Sequence, residues 1–324
     1  MTENYLLFGG SGFIGGHIVN YIVNLTKQKA FVFDIEPSKS EGANYEQIDV
    51  KHEIITKYSP LNTDVILNLS AIHRTPGHPS NEYFETNLLG AKNVCDYARK
   101  YGVNTIVFTS SIAVYGTYEE QKTEDTVPMP DIPYGISKLT AEYIHKLWQL
   151  EDPEKRKLII VRPGVVFGEN ENGNFTRLIN SISKNRFFYP GRRDTIKACI
   201  YVKDLVDAIF SMITKEASGV CTYNMTYDPP PSIVEICETI SEKARIAKPY
   251  IKLPATFLLI ISRIVYMISR NENYHPDRVR KLMISNNING MKLNSRYLLK
   301  FGLSNGIQDW MNSTNFNKEN GNIY

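Results

Sequence analysis

Cysteine is scarce. The 324 residues hold four, Cys95, Cys199, Cys221 and Cys237, far apart and without a CxxC pair. That spacing offers neither a zinc knuckle nor a redox dithiol, so no metal is expected, and unpaired thiols suit a reducing, cytoplasmic setting. An excess of one charge is also missing: 37 Lys and Arg stand against 34 Asp and Glu, a net of +3, with no long basic stripe. Nucleic acid is therefore not an expected partner, since nothing is available to neutralise a run of phosphates. A spanning helix needs about twenty apolar residues. The most apolar stretch, 253–268 (LPATFLLIISRIVYMI), has sixteen residues with Arg263 among them. The opening MTENYLLFGGSGF lacks a basic n-region and reads as a first strand rather than a secretory signal. What is present is ordinary globular composition, 42% hydrophobic and 22% charged. A chain of this length buries about three quarters of its unfolded surface and needs no covalent staple.

Short apolar runs at 4–8, 30–33, 64–69, 105–109 and 158–161 read as strands without polar alternation, as strands covered on both faces should be. Amphipathic stretches at 13–25, 82–100 and 136–150 lie between them as helices. The alternation predicts an α/β fold, a doubly wound parallel sheet with right-handed crossovers. After Pro163 the rhythm breaks into Gly-, Pro- and Asn-rich loops. The expected division is residues 1–163 as a dinucleotide-binding domain and 164–312 as a smaller C-terminal substrate lobe. A polar tail follows at 313–324, and segment 196–215 returns to the first domain.

The first strand runs into Gly9-Gly10-Ser11-Gly12-Phe13-Ile14-Gly15. Glycines in this GxxGxxG spacing, between a strand and a helix, provide a tight turn, close backbone approach to a pyrophosphate and close helix–strand packing. The helix N-terminus then faces the anion. This is the Rossmann arrangement, and it assigns Gly9, Gly12, Phe13, Ile14 and Gly15 to the cofactor. Nineteen positions after Gly15, Asp34 ends the second strand. A carboxylate there accepts from both ribose hydroxyls and repels a 2′-phosphate, so the expected cofactor is NAD.

The strand at 105–109 ends in Ser110-Ser111-Ile112-Ala113, and Tyr134-Gly135-Ile136-Ser137-Lys138 follows later. Residues four apart share a helix face. An ammonium at ~4 Å from a phenol, at an effective dielectric near 20, is worth about 4 kcal/mol or roughly three pKa units. Lys138 is thus expected to bring Tyr134 towards neutrality as a general base, with Ser111, or Ser110 instead, bonding the substrate hydroxyl. A second YxxxK, Tyr118 to Lys122, lies in the charged stretch TYEEQKTED and is assigned to a solvated loop.

On GGSGFIG, Asp34, Asp49-Val50, Leu69-Ser70-Ala71, Asn87, TSSIAVYG, YGISK, the RPG at 162–164 and YVKDL at 201–205, the chain resembles extended short-chain dehydrogenases/reductases of the NAD-dependent epimerase/dehydratase family. The resemblance implies that Asp49 and Val50 sit at the adenine, Leu69, Ser70 and Ala71 along the pyrophosphate side, and Pro163 near the nicotinamide, with Asn87 in support. It further implies that Asn174 and Arg193 (or Arg192) contact a substrate diphosphate, with Arg278 a third candidate. Dehydratases of this family carry an Asp-Glu pair where this chain has Ile112 and Ala113, so water elimination is not expected. What it implies instead is C4 epimerisation of a nucleotide-linked hexose or N-acetylhexosamine through a 4-keto intermediate. The alternative is an oxidoreductase acting on a keto sugar or sterol-like alcohol with the same Ser-Tyr-Lys site. A non-catalytic NAD sensor would have no need of that trio.

One subgroup shares the His73-Arg74 pair and an apolar C-terminal helix. It includes epimerases proposed to act on polyprenyl-diphosphate-linked N-acetylglucosamine. Residues 253–268 are accordingly expected to be either a buried helix of the second lobe or an interfacial helix making peripheral contact with the cytoplasmic membrane face. A homodimer through 82–100 and 136–150 is implied by resemblance alone.

Overall fold

The computed structural model describes residues 4–57, 63–73, 77–270 and 276–314. In chain order the elements are β1 (Tyr5–Phe8), α1 (Phe13–Thr26), β2 (Ala30–Asp34), β3 (Ala43–Gln47), β4 (Val65–Asn68), α2 (Ser80–Tyr101), β5 (Thr105–Thr109), a 3₁₀ turn (Ile112–Tyr115), α3 (Pro133–Leu150) and β6 (Lys157–Pro163). They continue as β7 (Val165–Phe167), α4 (Asn174–Ser183), β8 (Tyr189–Pro190), β9 (Cys199–Tyr201), α5 (Val202–Lys215), β10 (Gly219–Met225), α6 (Ile233–Ala244), β11 (Lys252–Leu253), α7 (Ala255–Ser269), α8 (Pro276–Met283), α9 (Met291–Arg296) and α10 (Gly302–Ser313). The described residues fall into two compact units. One is drawn from Met1–Gly116, Glu124–Pro163 and Leu205–Asn224, the other from Thr117–Thr123, Gly164–Asp204 and Met225–Tyr324.

The first unit is built on a seven-stranded sheet in the order β10-β6-β5-β4-β1-β2-β3. Every pairing from β6 through β3 is parallel. All four residues of β1 and of β4 are buried, which is why these strands show continuous apolar runs. Phe8 packs edge-on against Phe33 and Tyr97, with ring centroids 5.5 and 5.6 Å apart. Strand order reverses at β1, which has β2 on one side and β4 on the other. That crevice, beyond the carboxyl ends of the strands, is where such a sheet holds a ligand. β3 escaped the sequence reading. Its ANYEQ run is mostly half-exposed and pairs only with β2 at the sheet edge, so it carries no buried-strand signal.

In the second unit β9 pairs in parallel with β7. This corrects the expectation that the strand near 196–202 returns to the first domain. Residues through Asp204 belong to the second unit, and the helical stretch from Leu205 belongs to the first. Asp204 anchors α10 by accepting the N–H groups of Phe301 and Gly302, both at 2.9 Å, and the Tyr227 hydroxyl at 3.0 Å. A Cβ on Gly306 would come within 2.7 Å of the Tyr201 ring, so glycine lets α10 lie against β9.

α7 is not the buried helix that was one of the two readings for 253–268. Phe257, Ile260, Ile261, Ile264, Met267 and Ile268 are exposed, Ile268 to 80%, while Ser262 is buried. The spacing of these six places them in one outward-facing apolar stripe. Among the described residues no helix is long and apolar enough to cross a membrane.

Candidate active site

The parallel strands deliver their carboxyl ends to one edge of the sheet. Five adjacent strands, β2, β1, β4, β5 and β6, bring Asp34, Gly9, Leu69, Ser110 and Pro163 there, at or one residue past their ends. At ~4.8 Å between strands they span about 19 Å. Gly9 has φ +75°, a conformation that disfavours side chains, and a Cβ on it would meet the Ser70 backbone nitrogen at 2.6 Å. A Cβ on Gly15 would come within 2.4 Å of the Gly10 carbonyl oxygen, so glycine seats α1 on the turn. Gly12 differs. A Cβ there would meet only the Gly9 oxygen, at 3.7 Å. The chain itself does not require glycine at position 12. Gly12 caps α1 without a side-chain bond, and the first-turn N–H groups after it, including those of Phe13 and Ile14, have no intrahelical acceptor. Asp34 braces the turn, its Oδ2 accepting the Ser11 N–H at 2.9 Å and its Oδ1 the Glu36 N–H at 3.2 Å.

After β4, Leu69 N–H donates to the Phe8 carbonyl at 2.8 Å. The Ser70 hydroxyl donates to Asn68 Oδ1 at 2.7 Å, and Asn68 Nδ2 lies 3.2 Å from His145 Nε2. The Ser70 hydroxyl thus has a buried partner. Asn87, 3% exposed, accepts the Ile72 N–H at 3.0 Å and donates to Ser137 Oγ at 2.8 Å. It ties the loop carrying Ala71 to α3. Val50 is buried against α2, where a Cβ on Gly90 would approach its side chain to 2.9 Å. Asp49 accepts the Lys51 N–H at 2.9 Å.

Ser111 caps the 3₁₀ turn, its Oγ accepting the Ala113 N–H at 3.1 Å. Tyr134 and Lys138 lie on α3, which is seated on that turn through Gly135; a Cβ there would meet the Ala113 oxygen at 2.4 Å. Burial pushes the Tyr134 phenol up to about 12, and its hydrogen bond with Ser111 pulls the other way. Burial brings Lys138 down to about 7, opposed by the Glu142 carboxylate. Lys138 Nζ donates to the Thr109 carbonyl at 2.8 Å and lies 4.8 Å from the Phe108 ring centroid. Burial thus opposes the expected lowering of the Tyr134 phenol by Lys138. Its charge is directed at the end of β5, and desolvation dominates the phenol.

Of the two serines, Ser111 meets Tyr134 and Ser110 does not face the site. Ser110 is 3% exposed and donates to Glu142 Oε1 at 2.6 Å. Glu142 is held by Arg162, which also donates to the Tyr115 phenol oxygen at 2.8 Å. The sequence reading passed over Asn68, Glu142 and His145. The one legible signal was Glu142, eight residues after Tyr134 and so on the same helix face.

In the second unit Asn174 is exposed at the start of α4, its Oδ1 accepting from Arg177 at 3.1 Å. Arg192 is engaged by Glu119 and Ser285 at 2.5 and 2.7 Å, whereas Arg193 stacks over the Tyr189 ring at 4.8 Å. The side chain of Arg278 and the whole of Arg74 lie outside the described residues. Lys122 of the second YxxxK is not helical. Its backbone bridges to Ile288 and its Nζ pairs with Glu120 at 3.0 Å.

The glycine turn, the bare start of α1 and Asp34 therefore fit a dinucleotide with free ribose hydroxyls. Over 318 residues the chain is 28% identical to an N-acetyl-alpha-D-glucosaminyl-diphospho-ditrans,octacis-undecaprenol 4-epimerase of Escherichia coli O157:H7, covering 95% of this chain and 94% of that protein. It is 25% identical to a decarboxylating sterol-4-alpha-carboxylate 3-dehydrogenase of Candida albicans, covering 96% and 98%. The crystal structure of a Thermus thermophilus UDP-glucose 4-epimerase in complex with NAD has the same fold, with a TM-score of 0.71 at 20% identity over 95% of this chain and 98% of that one. Residues 5–226, which span the glycine turn, the Ser-Tyr-Lys trio and all seven strands of the main sheet, match the model of the NAD dependent epimerase/dehydratase family, and to that family this chain belongs.

Proposed function

We propose that this protein is an NAD-dependent 4-epimerase of a hexose or N-acetylhexosamine linked to a diphosphate. The observation that carries the reading is Tyr134 bonded to Ser111, with the buried Lys138 one helical turn on along α3 and with Ile112 and Ala113 following the serine. Tyr134 takes the proton of the sugar 4-hydroxyl, and Ser111 holds that oxygen. Once the 4-keto sugar has turned over, Tyr134 returns the proton. The chemistry supplied by bound NAD is reversible hydride acceptance at C4. Gly9, Gly12 and Gly15 admit its pyrophosphate, Asp34 its ribose, and Asp49 and Val50 its adenine. Ile112 and Ala113 have no proton to move, so water is not eliminated.

The carrier in this reading is a polyprenyl diphosphate, with UDP as the other outcome. Two facts support the lipid: the relative that acts on an undecaprenol-linked sugar covers nearly the whole chain, and the apolar stripe of α7 faces outward with Arg263 exposed among it. That stripe rests at the membrane interface, with Arg263 and Arg270 at the headgroups. On the second unit Arg193 and Asn174 are the contacts assigned to the diphosphate. The protein is read as a homodimer through α2 and α3, and the four free thiols suit a cytoplasmic place at the membrane face.

Incubation with undecaprenyl-diphosphate N-acetylglucosamine and with UDP-N-acetylglucosamine tests this. The expected product is the C4 epimer, formed without net reduced nicotinamide in solution. Accumulation of reduced nicotinamide would make the protein a dehydrogenase, the reading the sterol relative favours. Replacing Ile260 and Ile264 by lysine is expected to abolish liposome binding and turnover of the lipid-linked sugar. Liposome binding unchanged by that pair would remove the membrane role of α7.

A further inference from the structure

Glu142 and Arg162 form an ion pair whose side chains are 0% and 4% exposed. Desolvating such a pair costs several kcal/mol per ion, and apolar residues of the same volume often serve a fold as well. Its connections give it a different use. Arg162 Nε and Nη2 donate to Glu142 Oε1 and Oε2 at 2.9 and 2.7 Å. Oε1 also accepts the Ser110 hydroxyl at 2.6 Å. Arg162 Nη1 donates to the Tyr115 phenol oxygen at 2.8 Å, and that hydroxyl donates to Asn224 Oδ1 at 2.8 Å. Ser110 and Tyr115 bracket Ser111 and the turn it caps, so the pair grips both ends of the segment that presents Ser111.

Tyr134, Lys138 and Glu142 follow one another at four-residue spacing on one face of α3. Lys138 is surrounded by few charges. The Thr109 carbonyl and the Phe108 ring face it from β5. His145 faces it from α3 and is kept neutral, pushed down to about 4 by burial. The Tyr134 phenol lies on the same face, and Arg162 of β6 stands behind Glu142. The Glu142 carboxylate is the charge that favours the Lys138 ammonium.

Resting on the epimerase reading, we propose that Glu142 is a positioning residue for the reaction: clamped by Arg162, it fixes Ser111 through Ser110, and it sets its negative charge one helical turn from Lys138 on the face of α3 that carries Tyr134.

The test uses the full NAD-loaded chain with undecaprenyl-diphosphate N-acetylglucosamine, measuring kcat and KM against pH. Glu142→Gln keeps the shape and removes the charge; Glu142→Asp keeps the charge. The ammonium is lost as pH rises through the Lys138 pKa, so removing the charge should move the alkaline limb to lower pH. For Glu142→Gln, kcat should fall about tenfold or more with KM within about twofold, and Glu142→Asp should restore the limb. A second readout needs no turnover. Lysine side-chain NMR, assigned with Lys138→Met, follows the Lys138 midpoint, which should drop in Glu142→Gln and stay in Glu142→Asp. An unmoved midpoint, or a rate loss equal at every pH, overturns the proposal. A wild-type chain that does not epimerise overturns the function, while the midpoint still decides the role of Glu142. Should Glu142→Gln not fold, Glu142→Met with Arg162→Met removes the pair without orphaning a charge. That double variant is expected to fold with the lowered midpoint, and an unchanged midpoint in it is equally fatal.

Discussion

Burial makes Tyr134 a weaker acid than a free phenol, outweighing its bond to Ser111. For it to act as a base, positive charge from Lys138 and from a bound NAD would have to offset that burial. Tyr134→Phe should lower epimerisation by roughly 10²–10⁴-fold and leave NAD affinity within about twofold, read by titration. Loss of both would mean the phenol supports the fold and not the chemistry. His145 makes a prediction of a different kind. It stacks on Phe108 at 4.2 Å, and its folded pKa of about 4 lies below the ordinary 6.5. Between those values the unfolded chain binds a proton that the folded chain refuses, so stability falls as pH drops from about 6.5 to 4, by on the order of 3 kcal/mol. His145→Gln should flatten that part of the pH–Tm curve. The sequence could not choose between Ser110 and Ser111. Neighbours at a strand end point to opposite sides, and which side holds Glu142 is a matter of where α3 docks.

At the scale of elements the glycine turn separates two requirements that look alike in sequence. Gly15 is demanded by the contact of α1 with Gly10, whereas Gly12 has room for a Cβ within the chain. Gly15→Ala should reduce folded yield and Tm. Gly12→Ala should leave Tm within about 2 °C yet weaken NAD about tenfold or more, which is about 1.4 kcal/mol. Equal thermal loss in both variants would show that Gly12 serves packing. α7 shows the limit of reading an element alone. An apolar helix of this length has the same composition whether it lies in a core or at a surface, and only its neighbours leave Met267 and Ile268 exposed to 73% and 80%. β3 was missed for the converse reason: its side chains are mostly half-exposed, so the strand is held by backbone pairing that periodicity does not report.

For the whole molecule, α3 presents a second outward stripe. Ile136, Tyr143, Leu147 and Leu150 are exposed, Leu147 and Leu150 each to 63%, with Leu89 of α2 also exposed. A two-helix apolar face of this kind suits a symmetric dimer. Leu147→Glu is expected to turn a dimer into a monomer by light scattering while Tyr134 and its surroundings keep their structure. A wild-type chain that is already monomeric at micromolar concentration would remove that assembly.

Local pattern determined much of this protein. The strand–helix alternation, the glycine spacing after β1, Asp34 at the end of β2 and the four-residue step from Tyr134 to Lys138 are all short-range, and short-range order follows from backbone geometry and hydrophobic periodicity. Tertiary structure alone decided that Ser110 turns inward to Glu142, that Lys138 donates to the Thr109 carbonyl, that β9 stays with the second unit, and that the apolar side of α7 faces out. Each of those depends on which distant surfaces meet, because burial and partner, unlike periodicity, are properties a residue acquires only from the rest of the fold.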